Sequence, residues 1–381
     1  MDHEHYIDEA LLLAARGRGW VSPNPVVGAL VVRDGKIVGR GWHKKFGGPH
    51  AEVFALQEAG EAARGATLYC TLEPCNHTGK TPPCSQAVIA AGIKCVVLGA
   101  SDSNPAADGG IEAMRAAGIE VIDGIRGDAC RRINAPFFKY LATGLPLVNL
   151  KWAMTLDGKI ASASGDSKWI TSDAAREEAQ LLRAAHDAVL VGIGTMLADQ
   201  PRLNCRVTKD GAEVHQPRRI ILDNQARTPL DGPFWSAEPA GAVTVVCKAN
   251  APLARVGALQ NRGAHVLRIA DAFDDVDEGE KEPELQGVLR GLGDMGIRSI
   301  LVEGGSRVLG SFVDEHFCDG AFAFIAPRIL GGAASLAAVG GGGESTMAET
   351  LNLRRAAMRQ VGPDYLLSGV LSEWDWLLQQ L

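Results

Sequence analysis

The chain has 381 residues, of which 46% are apolar and 22% charged, as is ordinary for a globular protein with a buried core. No run of roughly 18 apolar residues occurs and the first residues are acidic and polar, so we expect no membrane span, no secretory signal and a cytoplasmic location. The net charge of −7 equals the net charge of the acidic stretch 271–284, which we interpret as a solvated loop. The sequence has no basic stripe, which argues against nucleic acid as a partner.

The first half of the sequence alternates between predicted strands and helices. Asp34 and Gly35 favour a hairpin turn, Pro49 can open a helix and Gly92 can end one. The alternation predicts a mixed or largely parallel sheet covered by helices. In chain order we predict a helix at 7–16, strands at 26–32 and 37–42, a helix from 49 to about 64, a strand at 67–71, a helix at 84–91, a strand at 94–99, a helix at 111–117 and a strand at 120–125.

The alternation of predicted strands and helices is interrupted near residues 143–146, which predicts a boundary between two domains, 1–146 and 147–381. The second half again alternates, so the fold class is α/β throughout. The glycine-rich segment 339–344 is expected to be a flexible loop without chemistry of its own. The predicted elements are strands at 147–154, 188–192, 219–222, 242–247 and 299–302, and helices at 173–185 and 285–295.

The strongest chemical signal lies in the first half, where His50-Ala51-Glu52 is followed by Pro74-Cys75 and then by Pro83-Cys84. One imidazole and two thiolates suit Zn²⁺ with a fourth position left for water, which is the catalytic form of a zinc site. Iron is an alternative metal for the same ligands. Glu52 is the general acid/base candidate, and it can reach such a site only if the metal packs against the end of the helix, because residues i and i+2 point to different faces.

The pattern H-x-E with P-C-x-x-C is the signature of zinc nucleobase deaminases. Here eight residues instead of two separate Cys75 from Cys84, and the insert adds His77 and Lys80 beside the predicted metal. A structural zinc or unrelated core cysteines are the competing interpretation. The coincidence of the H-x-E motif with two Pro-Cys pairs favours the deaminase.

These motifs resemble the family of bifunctional riboflavin-biosynthesis deaminase/reductases. The resemblance rests on residues 23–28 (PNPVVG), 50–52 (HAE) and 71–84 (TLEPCNHTGKTPPC) in the first half. In the second half it rests on residues 151–159 (KWAMTLDGK) and 167–171 (SKWIT). It covers nearly the whole chain, in the family's domain order.

For the first half, the resemblance implies a cytidine-deaminase-like zinc domain. That domain would deaminate 2,5-diamino-6-(5-phosphoribosylamino)pyrimidin-4(3H)-one, with zinc held by His50, Cys75 and Cys84 and with Glu52 moving the protons. The substrate contacts that it implies are Asn24, His43, His77 and Lys80.

For the second half, the resemblance implies a dihydrofolate-reductase-like domain that uses NADPH to reduce the ribosyl group of the deaminated product to ribityl. The segment 192–197 lacks the third glycine of a dinucleotide fingerprint, whereas residues 302–306 (VEGGS) follow a predicted strand and can open a helix toward a phosphate. Lys151 is the catalytic candidate, with Asp199 and Glu303 as alternatives for the proton transfer. The implied cofactor contacts are Ala153, Trp169, Thr195, Asp199, Gly305 and Ser306, and the implied substrate contacts are Ser167, Arg183, Leu203, Arg206 and Glu303.

Three alternatives remain open at the level of sequence. One is a deaminase with a non-catalytic second domain, another is a nucleic-acid-editing deaminase, and the third is a non-catalytic zinc-binding assembly protein. The expected partners are small phosphoribosylaminopyrimidine substrates and further copies of the chain in a homo-oligomer, with neither nucleic acid nor membrane.

Overall fold

The computed structural model contains two compact units that divide between Thr143 and Gly144. It describes residues 2–77, 82–102, 104, 109–208, 211, 213–237, 241–269 and 285–371. Lys80 and the acidic stretch 271–284 lie outside the described residues. Within those residues, no helix is both long and apolar enough to cross a membrane.

The first unit alternates between helices and strands. Its elements are α1 (His3–Ala14), β1 (Gly28–Arg33), β2 (Lys36–Trp42), α2 (Ala51–Ala59), β3 (Thr67–Leu72), α3 (Cys84–Ala90), β4 (Cys95–Ala100), α4 (Gly110–Ala116), β5 (Glu120–Ile122), α5 (Gly127–Ile133) and α6 (Ala135–Thr143). The sheet has the order β2-β1-β3-β4-β5, antiparallel around β1 and parallel from β3 to β5. Helices α2, α3 and α4 bury apolar side chains on one face, and α1, α5 and α6 do so on the other.

Several predicted bounds in this unit differ from the structure: the helix predicted at 7–16 spans His3–Ala14, and the strand predicted at 26–32 spans Gly28–Arg33. Two further differences have a clear structural cause. The helix predicted from Pro49 begins at Ala51, because His50 is the N-cap residue with an extended backbone (φ −78°, ψ 168°). The strand predicted at 120–125 ends at Ile122, and Gly124 then turns the chain at a φ of +78°.

Two glycines of β2 bring α2 against the sheet. A Cβ on Gly39 would lie 2.1 Å from the carbonyl oxygen of Ala55, and one on Gly41 would lie 2.0 Å from that of Ala51. Any side chain at either position would push α2 away. The bare backbone of β2 therefore fixes where α2 begins, and with it the positions of His50 and Glu52.

The second unit is built on a larger sheet. Its elements are β6 (Leu147–Thr155), β7 (Lys159–Ala161), α7 (Asp173–Ala184), β8 (Ala188–Gly192), α8 (Ile193–Asp199), β9 (Arg218–Leu222), β10 (Val243–Lys248), α9 (Leu253–Asn261), β11 (His265–Ile269), α10 (Leu285–Asp294), β12 (Ser299–Val302), α11 (Ser306–Asp314), β13 (Gly320–Ala326), β14 (Leu336–Ala337), β15 (Leu353–Val361) and β16 (Asp364–Leu371). The nine-stranded sheet has the order β11-β10-β9-β8-β12-β6-β13-β16-β15, and β7 pairs separately with β14.

The strands from β11 to β13 in this order are parallel, and β16 is antiparallel to both β13 and β15. Side chains from α10 and α11 pack in one buried cluster and side chains from α8 and α9 in another, so helices cover both faces. Because the strands are parallel, their carboxyl ends meet at one edge, which is where ligands of open α/β sheets bind.

The glycine-rich segment 339–344 forms neither helix nor strand. It is nevertheless anchored to α11, because the carboxylate of Asp314 accepts hydrogen bonds from the backbone N–H groups of Gly342 and Gly343. Gly310 of α11 also packs directly against Gly340. The segment therefore supports α11.

Candidate functional site

The first unit brings His50, Cys75 and Cys84 together. His50 caps α2, Cys75 lies in the loop after β3, and Cys84 is the first residue of α3. Nδ1 of His50 lies 3.5 Å from Sγ of Cys75 and 3.2 Å from Sγ of Cys84, and the three atoms lie within 4.8 Å of one another. The hydrogen bond from the Cys84 thiol outweighs burial and, together with that from His50, lowers the pKa of Cys75 to about 4. The cluster has the donor types and the spacing of a zinc site.

Glu52 lies beside this cluster in the first turn of α2. Its side chain is 3% exposed, and among the residues that the structure describes its Oε2 atom has no hydrogen-bond partner. Burial raises the pKa of Glu52 to about 7. A buried carboxylate oxygen without a partner is costly, so this atom is placed to meet a group that the protein does not itself supply.

His43 and Asn24 form a fixed wall of the same site. The His43 ring donates from Nδ1 to the carbonyl oxygen of Pro49 at 3.1 Å, and its Nε2 accepts from the Asn24 amide at 3.3 Å. Burial lowers the pKa of His43, which favours the neutral ring that this pattern requires. The His43 and His50 rings meet edge to face at 5.2 Å.

A cavity of about 260 Å³ opens onto these residues. Asn24, His43, His50, Glu52, Cys75 and His77 all line it. The sequence motifs did not include Asp102 and Asn104, which line it as well. They follow the carboxyl end of β4, and this position after a strand is the feature of the sequence from which they could have been predicted.

Glu73 also reaches this cavity, but its side chain is engaged by the fold. It accepts hydrogen bonds from the backbone N–H groups of Asp102 and Ile111, at 3.3 and 3.0 Å. Glu73 thereby ties the loop after β4 to the start of α4. The pKa of Asp102 rises to about 6, chiefly because of burial, and the nearby Glu73 carboxylate adds to the rise.

A larger cavity, of about 1180 Å³, lies in the second unit at the carboxyl ends of its parallel strands. It gathers every residue of this unit that the sequence analysis proposed for cofactor, substrate or catalysis. Those residues are Lys151, Ala153, Ser167, Arg183, Trp169, Thr195, Asp199, Leu203, Arg206, Glu303, Gly305 and Ser306.

A buried ion cluster forms the centre of this cavity. Glu303 accepts two hydrogen bonds from Arg183, at 2.5 and 2.9 Å, and its Oε2 lies 3.4 Å from Nζ of Lys151. The Glu303 side chain is 7% exposed and the other two are 14% exposed. Burial would raise the pKa of Glu303, but the charges of Arg183 and Lys151 outweigh it and hold the pKa at about 2.

The second arginine, Arg206, is in a different setting. Its guanidinium donates to Oδ1 of Asn204 at 2.6 Å, and Arg206 is otherwise exposed. Its pKa is lowered by burial and then by the positive charges of Arg183 and Arg202. Because Arg183 already neutralises Glu303, the excess positive charge at Arg206 and Arg202 suits an anion from solution.

Gly304 and Gly305 form the turn between β12 and α11, which we call the glycine cradle. Gly304 has a φ of +88°, and a Cβ there would lie 3.3 Å from the side chain of Leu309. Gly305 donates its N–H to Oγ1 of Thr195 at 2.7 Å and caps α11. Glycines at the N-terminus of a helix allow a phosphate to approach the backbone closely.

Two family models match the two halves of the chain. Residues 1–100 match the cytidine and deoxycytidylate deaminase zinc-binding region, and residues 146–367 match the RibD C-terminal domain. The riboflavin biosynthesis proteins RibD of Aquifex aeolicus and Escherichia coli are 42% and 38% identical to this chain, over 96% of it and over 97% and 99% of their own lengths. The chain belongs to the RibD family.

Solved structures from this family have the same fold. Acinetobacter baumannii RibD matches with a TM-score of 0.85 at 36% identity, covering 97% of this chain and 99% of its own. The Thermotoga maritima protein described as a diaminohydroxyphosphoribosylaminopyrimidine deaminase/5-amino-6-(5-phosphoribosylamino)uracil reductase matches with a TM-score of 0.82 and the same identity and coverage.

Membership in the RibD family confirms several expectations from the sequence. The protein is a bifunctional deaminase/reductase of riboflavin biosynthesis, with a cytidine-deaminase-like zinc domain followed by a reductase domain, and its cofactors are zinc and NADPH. Its substrates are small pyrimidines, so the alternatives of a nucleic-acid-editing module, a single-activity deaminase and a non-catalytic assembly protein are set aside.

Proposed function

We propose that residues 1–146 carry the deaminase and residues 147–381 carry the reductase, and that the two act on successive forms of one phosphoribosylaminopyrimidine. The first would convert 2,5-diamino-6-(5-phosphoribosylamino)pyrimidin-4(3H)-one to the corresponding uracil. The second would reduce the ribosyl group of that uracil to ribityl. The observation that carries the proposal is the buried Oε2 of Glu52, which lies beside a three-ligand metal cluster and has no hydrogen-bond partner in the described part of the chain.

In the deaminase, His50, Cys75 and Cys84 would hold zinc, whose donor preferences they match. Zinc, when bound, supplies Lewis-acid activation of water at neutral pH. Glu52 would take a proton from the attacking water and deliver it to the amine that leaves as ammonia. Asn24 and the neutral His43 would orient the pyrimidine, since their hydrogen bonds to each other and to Pro49 hold them in place.

In the reductase, the residues around Glu303 would hold the opened sugar, whose C1′ receives the hydride that NADPH supplies when bound. Of the three candidates for the proton transfer, Glu303 is held as a carboxylate by its low pKa and cannot donate. Asp199 lies 3.8 Å from Lys168 in an ion pair. Lys151 offers N–H donors and is held 3.4 Å from Glu303, so we assign it the transfer of a proton to the ribose ring oxygen as the ring opens, before C1′ receives the hydride.

The phosphate of the reductase substrate would bind at Arg206, because Arg183 is committed to Glu303 and to the backbone of Asn204. The glycine cradle at Gly304 and Gly305 fits the pyrophosphate of NADPH, whose backbone contacts a side chain would obstruct. Ala153, Trp169, Thr195, Asp199 and Ser306 would complete the cofactor site, and Ser167 and Leu203 the substrate site.

Mass spectrometry of the products tests this proposal. With the diaminopyrimidine phosphate alone, the full chain should replace one amine by oxygen and stop. Addition of NADPH should then add two hydrogens to the same product. Reduction in the absence of deamination, or deamination without any later reduction, would overturn the proposed succession of the two reactions.

We further propose that the protein is a cytoplasmic homo-oligomer. Seven cysteines, Cys70, Cys75, Cys84, Cys95, Cys130, Cys205 and Cys247, are buried thiols outside any disulfide, as expected in a reducing compartment. Strand β15 lies at the edge of the nine-stranded sheet, spans nine residues and is largely exposed, and such edges readily pair with another chain. Light scattering coupled to gel filtration should give a mass above that of one chain, and a monomer at all concentrations would contradict the oligomer.

A further inference from the structure

The cavity of the second unit extends past β8 to the carboxyl ends of β9 and β10. Two cationic side chains, Arg227 and Lys248, line it there. Arg227 lies in the loop that follows β9, and Lys248 is the last residue of β10. The reactions proposed above use neither residue.

The order of the strands determines which part of a bound dinucleotide can reach these cations. Strands β9 and β10 lie on one side of β8, whereas β12 and β6 lie on the other. Lys151 lies on β6, and the glycine cradle that suits the pyrophosphate follows β12. The nicotinamide must lie beside the sugar that it reduces, on the β6 side.

The adenosine half is joined to the other end of the pyrophosphate, so it extends away from β6 toward β9 and β10. From β6 to β10 the sheet takes four inter-strand steps, which at about 4.8 Å each span roughly 19 Å. The cavity runs along the ends of all five of these strands, so the adenosine ribose of a bound dinucleotide would lie at its far end.

The charges at this far end bear on the choice between NADPH and NADH. In nucleotide-binding sheets, a carboxylate near a strand end binds the ribose 2′-hydroxyl of NADH, whereas an arginine accommodates the 2′-phosphate of NADPH. Asp223 directly follows β9, but it is fully buried, and its Oδ2 accepts from both the N–H and the hydroxyl of Thr228. Among the described lining residues, the carboxylates are Asp199 and Glu303, and neither follows β9 or β10.

Arg227 and Lys248 are both held in position by the fold. Nε of Arg227 lies 3.9 Å from Oδ1 of the buried Asp223, while 62% of the Arg227 side chain is exposed. The buried carboxylate therefore orients the guanidinium from behind and leaves most of it accessible. Lys248 is 5% exposed and forms part of the cavity wall.

We propose that Arg227 and Lys248 bind the 2′-phosphate of NADPH and thereby select it over NADH. A guanidinium can donate two parallel hydrogen bonds to phosphate oxygens, and an ammonium adds a point charge. This inference rests on the proposed NADPH-dependent reduction, whose residues it does not share.

Titration calorimetry with 2′,5′-ADP and 5′-AMP on the full chain tests the assignment without any turnover. The wild type should bind 2′,5′-ADP more tightly, because 5′-AMP lacks the 2′-phosphate. Arg227→Ala should weaken 2′,5′-ADP binding by about 10- to 100-fold and leave 5′-AMP binding nearly unchanged. Lys248→Met keeps the buried stem and should lower the same preference. Arg290→Ala, which removes an exposed arginine on α10 outside the cavity lining, is the matched control and should bind both probes as the wild type does.

Steady-state reduction with NADPH and NADH forms the second arm. Arg227→Ala should lose most of the wild-type preference for NADPH through a higher KM for that cofactor. If both variants bind 2′,5′-ADP as tightly as Arg290→Ala does, or if the wild type binds the two probes equally, the assignment is wrong. If the wild type oxidises neither dinucleotide with the deaminated substrate, the proposed reductase fails instead, and the calorimetry still decides the role of Arg227 and Lys248.

Discussion

Replacing Glu303 by glutamine should destabilise the second unit strongly. Glu303→Gln preserves the size of the side chain but removes the charge that pairs with Arg183 and Lys151. Loss of one partner of a buried ion pair leaves the other charge uncompensated, at a cost of about 3–5 kcal/mol. The pKa of Glu303 gives a similar figure, since a fall from 4.5 to about 2 corresponds to about 3 kcal/mol.

The pairing of Glu303 with Arg183 and Lys151 also predicts how the destabilisation by Glu303→Gln depends on pH. The pKa of Glu303 is lower in the folded protein than in the unfolded chain, so its contribution is complete above the unfolded value of 4.5 and is lost as the pH falls toward about 2. The difference in unfolding free energy between wild type and Glu303→Gln should therefore be largest at neutral pH. It should shrink as the pH falls from about 4.5 toward 2, because Glu303 of the unfolded wild-type chain then takes up a proton while Glu303 of the folded protein is still ionised.

Hydrogen exchange of peptides that cover β12 and α7 reports the stability of this unit separately from the other. Glu178→Gln is the matched control, because Glu178 pairs with Arg359 at the surface, where such a pair contributes about 1 kcal/mol or less. A Glu303→Gln protein within about 1 kcal/mol of the wild type at neutral pH, or a difference independent of pH, would refute the argument.

Three further substitutions test the sites and the fold. Cys84→Ser should lower the zinc content by weakening one of three protein ligands, and a full equivalent of zinc by elemental analysis would remove Cys84 from the site. Arg206→Ala should raise the reductase KM by roughly 30- to 150-fold with a smaller change in kcat, and Arg206→Lys should restore part of the lost substrate affinity. An unchanged KM in Arg206→Ala would place the phosphate elsewhere. Gly41→Ala should displace α2 and lower both the zinc content and the melting temperature, because its Cβ would lie 2.0 Å from the carbonyl oxygen of Ala51. Gly257→Ala on α9, where a Cβ meets nothing within 4 Å, should do neither.

Much of the first site could be predicted from the sequence, because its chemistry is concentrated in short motifs. The H-x-E pair and the two cysteines each follow or precede a proline at a helix or strand end, which is a local pattern. The need for the metal to lie against the end of α2 also follows from helix geometry, and His50 is indeed its N-cap. Asp102 and Asn104 were missed because no motif contains them, and they reach the cavity only through the parallel pairing of β3 with β4.

The second site was harder to predict, because its central contact joins residues far apart in the chain. Arg183 on α7 and Glu303 after β12 are 120 residues apart, and they meet only in the folded unit. At the level of sequence, Arg183 and Arg206 were both implied substrate contacts. The buried pairing of Arg183 with Glu303 now separates them.

The most direct test of two separate sites in one chain is the Glu52→Gln variant with both substrates. Glutamine keeps the shape of the side chain and removes its ability to carry a proton, so deamination should fall by about 100-fold or more while the zinc content stays at the wild-type level. The same protein should still reduce the deaminated substrate with NADPH at the wild-type rate. Near-normal deamination would show that another group moves the proton, and a parallel loss of reduction would contradict the assignment of the two reactions to separate sites.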